Sequence, residues 1–120
     1  VVEAARVTER LEAIEKMGRQ DVLFLGVIDE TLRQVFKRQG TKAIYDYLEN
    51  NHHLEREEIL EKPEVFSDGL ERLMVSAAPV IEMMILENLY SRLGLRFREK
   101  EGFEFSDYVE ELRRSASAEA

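Results

Sequence analysis

The sequence predicts an all-α fold, a compact bundle of five or six helices with a minor β-hairpin near the C-terminus, and three observations predict it. Apolar residues recur at steps of three and four through most of the chain, the spacing that lays a stripe along one face of a helix. Prolines and glycines fall between those stripes, at places suited to helix starts and ends. Only near the C-terminus does the period drop to two: Leu95 and Phe97 alternate with Arg96 and Arg98, and Phe103 and Phe105 flank Glu104.

The N-terminal stripe admits two readings. From Val7, residues Leu11, Ile14, Gly18, Asp21, Leu25, Ile28, Leu32 and Val35 follow at alternating steps of four and three, a heptad seam that Gly18 and Asp21 interrupt. One reading is two helices, over 3–17 and 21–38, with Gly18 as a C-cap and Asp21 close to an N-cap. The other is a single helix whose polar stutter joins a coiled coil to the domain. On both, residues 1–20 form an N-terminal helix and candidate coiled-coil linker, residues 21–114 the helical domain, and residues 115–120 a flexible polar tail. Leu11, Ile14, Leu25 and Ile28 are the candidate homodimer seam.

Thr41, after Gly40, is placed to cap a helix that buries Ile44, Tyr47 and Leu48 and ends near Asn50-Asn51. Leu54 and Ile59 anchor an irregular stretch, and Pro63 suits the first position of a helix with Phe66, Leu70 and Leu73 on one face. Pro79 either opens a helix or kinks one. Residues 79–93 carry an apolar arc too wide for an ordinary surface helix, closed by Gly94. The period-two stretch follows as the hairpin, and Ser106 is placed to cap a last helix with Tyr108, Val109 and Leu112 inward.

Composition bounds the function. A chain of 120 residues that is 44% hydrophobic and 35% charged has one core's worth of apolar residues and a heavily solvated surface. A formal charge of -8 at pH 7 repels nucleic acid and anionic lipid at long range. Without cysteine there is no disulfide or thiolate metal site, and a reducing cytoplasmic setting is expected. No apolar run approaches the roughly twenty residues of a membrane span, so no membrane association is expected. The opening Val1-Val2 gives the expectation that more protein lies upstream.

Few constellations suggest chemistry. His52-His53 lacks a carboxylate at ligand spacing and reads as an exposed or capping pair. Glu82 shares a helical face with Ile85, Leu86, Leu89 and Leu93, so it is a candidate partly buried acid that needs a donor, a cation or a raised pKa. Met74, Met83 and Met84 fit either core filling or a plastic groove. No glycine-rich phosphate loop, nucleophile elbow or metal motif occurs, so no enzyme, cofactor or metal is expected. A winged-helix nucleic-acid binder is the main rival, with Arg96, Arg98 and Lys100 on the wing, but Glu99, Glu101 and Glu104 interleave with them.

The stretch 44–49, Leu54 to Ile59, Pro63-Glu64-Val65-Phe66, Val80-Ile81-Glu82 and Asn88-Leu89-Tyr90-Ser91-Arg92-Leu93-Gly94-Leu95, closing on Phe103-Glu104-Phe105-Ser106-Asp107-Tyr108-Val109, resembles the small helical domain of archaeal signalling proteins called the fifth Nitrosopumilus output domain. The likeness covers residues 28–112. It departs at Met74-Val75-Ser76, where a tighter, glycine-bearing turn is expected. The resemblance implies an output module attached to other domains and transfers no catalytic residue.

Together these readings give the expectation of a non-catalytic signal-output or protein-interaction module, part of a larger or oligomeric signalling protein, self-associating through its N-terminal helix and contacting a further protein. A sensor upstream would shift the seam and repack the helix over residues 79–93. The alternatives are the winged-helix regulator and a small-ligand sensor with an apolar pocket near Glu82.

Overall fold

In the computed structural model, residues 7–8, 11–12 and 17–119 are described, without the side chains of 116–119. Helix α1, Arg19–His52, begins after Gly18, whose extended backbone (φ -89°, ψ 179°) ends any helical path from the N-terminus. Gly18 thus separates α1 from the helical residues 7–8 and 11–12, while most of the helix expected over 3–17 lies outside the described residues. Asp21 sits in the first turn, where the helix dipole favours a carboxylate.

Lys37 leaves the helical path at φ 62° and ψ -173°, and the chain folds back there. The Tyr45 hydroxyl donates to Asp29 Oδ1 at 3.0 Å, although sixteen residues of straight helix would separate the two by about 24 Å. Burial, with Asp29 beside it, pushes the Tyr45 phenol far up, so it remains a donor. A Cβ on Gly40 would stand 2.8 Å from Phe36 Cβ, so the close approach after the bend requires glycine. Thr41 is therefore not a cap: it is buried within the second arm, and its hydroxyl has no hydrogen-bond partner. The carbonyl four residues back, the usual acceptor, belongs to the displaced Lys37.

Three more α-helices follow: α2 at Pro63–Met74, α3 at Ala78–Arg92 and α4 at Phe105–Glu119, with single 3-10 turns at Arg56–Glu58 and Val75–Ala77. From Arg19 on that makes four α-helices among the described residues, fewer than the five or six expected, in part because the stretches expected as helices over 21–38 and from Thr41 run as one bent element. Pro63 and Pro79 both lie in first turns, where no amide donor is missed. α3 closes with a Schellman pattern, Leu95 N–H to Tyr90 O and Gly94 N–H to Ser91 O, both 2.9 Å. α4 starts ahead of Ser106, where Asp107 accepts the Glu104 N–H at 2.8 Å, and continues through most of the stretch expected as a tail.

No strand forms among the described residues, so the hairpin is replaced by a loop. Phe97 packs against Tyr90 and Tyr108 with ring centroids 5.3 and 5.2 Å apart, and Phe103 lies 5.1 Å from Tyr108. The Lys100 N–H donates to the Tyr108 hydroxyl at 2.7 Å instead of to a facing strand. An isolated two-stranded ribbon is marginal in water, and here the alternating aromatics anchor the loop to one tyrosine. The wing of the winged-helix alternative is thereby missing.

The core runs between α1, α2, α3 and α4. Phe24, Leu25, Ile28, Leu32, Phe66, Ile85, Leu89 and Leu112 are all essentially inaccessible, each burial worth about 1.5–3 kcal/mol before entropy is counted. Gly69 lets α2 lie against the end of α1, since a Cβ there would overlap the Leu48 side chain. Arg113 ties α4 across the bundle, to Asp21 at 3.1 Å and the Leu60 carbonyl at 2.8 Å. Pro63–Arg92 is long and apolar enough to cross a membrane by length and composition alone, contrary to expectation. Val75 (φ 47°) divides that stretch, and Ile81, Ile85, Leu86 and Leu89 point into the core.

Candidate functional site: the groove around Glu82

Glu82 lies where three elements meet. Along α2, Glu64, Ser67, Asp68 and Glu71 share one face by their spacing of three and four. Residues 103–106, leading into α4, close the other wall of a hollow of about 320 Å³. Beyond Glu82 the groove continues into a more apolar hollow of about 210 Å³, where Pro79, Met83, Leu86, Phe97 and Tyr108 meet Glu99 and Lys100. Glu82, Phe103 and Phe105 line both.

The charges in this groove are one-sided. Glu82 Oε1 accepts a hydrogen bond from the Ser67 hydroxyl. Burial lifts the half-buried Glu82 carboxyl above its ordinary range, the Ser67 bond opposes that, and Glu71 and Asp68 push it up further. Among the described residues no ion pair reaches Glu64, Asp68, Glu71 or Glu104. Lys100, among the described residues the only cation lining either hollow, is already held by Glu111 at 2.6 and 2.7 Å, over the Phe103 ring at 5.0 Å. The arrangement favours positive charge as a field. It is not a coordination set, for among the described residues no three His, Asp or Glu side chains converge to hold a metal ion.

The other expected site residues are dispersed. Leu25 and Ile28 are 1% exposed, so they serve the core and cannot line a dimer surface as they stand. The heptad spacing that nominated them continues into α1, where the same stripe meets α3. Leu11 is exposed together with Val7 one turn earlier, and Ile14 lies outside the described residues. His53 is the left-handed C-cap of α1, its N–H on the Leu48 carbonyl, and the His52 ring leans on Tyr47 at 5.3 Å. Met83 faces the groove, while Met74 and Met84 pack against the core.

No family model, curated protein or solved structure matches the chain. The residues that sequence reasoning missed are Asp68, Glu71, Phe103 and Glu104. The spacing of Glu64, Asp68 and Glu71 was a readable signal of an acidic face, but not of what it faces.

Proposed function

We propose that this chain is a non-catalytic interaction module, the output part of a larger or oligomeric cytoplasmic signalling protein of the archaeal output-domain type, and that the groove around Glu82 is its docking face. One observation carries the reading. Carboxylates from α2, α3 and the approach to α4 face one another with no free cation among them in the described residues, beside exposed Met83 and Phe103. Like charges held together cost stability, and such a cost is tolerated where a partner will offset it.

Backbone amide NMR of the full chain, titrated with amphipathic peptides, tests the reading. Shifts confined to the residues lining the groove support it. Shifts elsewhere, or none at millimolar peptide, count against it. A small-ligand sensor is the second reading, favoured by the half-burial of Glu82. It would be preferred if metabolite mixtures, and not peptides, raise the melting temperature.

Self-association through the N-terminal helix is also proposed, with Leu11 and Ile14, the part of the expected seam that precedes α1, as its contact. Light scattering on the full chain and on a version lacking residues 1–20 decides it. A dimer that becomes a monomer on truncation supports the relay, and a monomer in both removes it.

A further inference from the structure

We infer that the groove takes a basic protein segment, one that places a lysine or arginine against the acidic wall and a bulky apolar side chain in the neighbouring hollow. The inference rests on the interaction-module reading and names the chemistry of its partner.

The apolar half sets the shape of the occupant. Its hollow of about 210 Å³ is open to solvent and floored by Met83, Leu86, Phe97 and Tyr108. That is smaller than the roughly 300–1,000 Å³ of ordinary small-molecule pockets and suits one inserted side chain. Among the described residues Met83 at 39% and Phe103 at 38% exposed leave apolar surface open to solvent.

Charge sets the sign of the occupant. Glu82, Asp68 and Glu71 line the same wall, and burial holds the Glu82 carboxyl up with Glu71 and Asp68 adding repulsion, so an incoming cation relieves three acids at once, while an acidic segment adds a fourth. The internal cation is spent, as Lys100 is fixed to Glu111. Its position over Phe103 shows that this ring accepts a cation on its face. At -8 overall, the molecule's long-range field steers a basic partner in and keeps anionic lipid and nucleic acid away.

The test uses the full chain and dye-labelled peptides of equal length, read by fluorescence anisotropy: lysine with leucine, glutamate with leucine, serine with leucine, and lysine with alanine. The lysine–leucine peptide is expected to bind best, and to weaken as salt rises to about 150 mM, where charges are screened beyond about 8 Å. Glu71→Lys, an exposed change, should lower that affinity about fivefold, and Met83→Ser should lower it for both leucine peptides lacking glutamate. Equal binding of the serine–leucine peptide in the groove overturns the basic-partner inference and leaves the interaction reading standing. Equal binding of lysine–alanine overturns the apolar half of the inference. If no peptide binds, the inference and the interaction reading fall together. If the unliganded chain self-associates in a salt-sensitive way that Lys37→Glu with Arg38→Glu abolishes, the occupant is a second copy and the inference is wrong.

Discussion

The two sides of α3 answer their polar groups differently. On the side facing α1, the Asn88 amide donates to Thr31 Oγ1 at 2.9 Å, Thr31 donates on to the Val27 carbonyl at 2.8 Å, and Arg92 meets Glu30 at 3.1 Å. Asn88 and Thr31 each donate to an acceptor, and Arg92 and Glu30 are opposite charges in contact. On the side facing α2, Glu82 has one hydroxyl and a wall of further acids. The first side is a seam that closes the bundle, and the second is a surface left incomplete by the chain itself. Stability and recognition are thus divided between opposite faces of one helix.

The largest effect should come from the layer both sides share. Leu89→Ala, at a residue with no exposure, is expected to cost about 2–5 kcal/mol in urea unfolding; a loss under 1 kcal/mol would mean that α3 is not the centre of the core. Asn88→Ala comes next, at about 1 kcal/mol, because it takes the inter-helix partner from Thr31 while leaving the Val27 bond intact. A neutral outcome would show that the α1 side is no better satisfied than the groove.

Glu82→Gln should act in the opposite direction. The native carboxyl is raised above its ordinary 4.5, so this group's contribution is fully present in acid below that value and is lost as pH rises through the native pKa. Ionised Glu82 is therefore a cost at neutral pH. Glutamine should stabilise the protein at pH 7 by about 0.5 kcal/mol, modest because the site is half exposed and screened, and should flatten the slope of stability against pH above 4.5. Destabilisation at pH 7 would place the groove among the seams that stabilise the fold. The smallest effect belongs to Val75, a β-branched residue at φ 47° and 72% exposed in the corner before α3. Val75→Gly should raise the melting temperature slightly, strain relief outweighing the added chain entropy by a few tenths of a kcal/mol. A lower melting temperature would mean that the valine side chain supports the corner.

Much of the fold was readable because it is local. Pro63, Pro79 and Gly94 punctuate the helices through their own backbone chemistry, and Phe66, Leu70, Ile85, Leu89 and Leu112 announce their burial by spacing. The bend at Lys37 carried no such mark: Gly40, three residues on, drew attention as a break, yet serves close contact with Phe36. The expected glycine-bearing turn at Met74-Val75-Ser76 is a turn with a positive φ of 47° built on valine. Period-two aromatics read as strands because alternation cannot say whether Phe97 and Phe103 face a partner strand or one tyrosine.

By itself the sequence determined the helical class, most core residues, the acidic surface and the position of Glu82 on an apolar face, since each follows from composition and from periods of a few residues. Only the tertiary structure decided that α1 doubles back, that Leu25 and Ile28 are buried, and that Asp68 and Glu71 stand opposite Glu82. Those facts depend on which faces meet across the bundle, and contact between residues distant in the chain is set by the packing of the whole rather than by any local pattern.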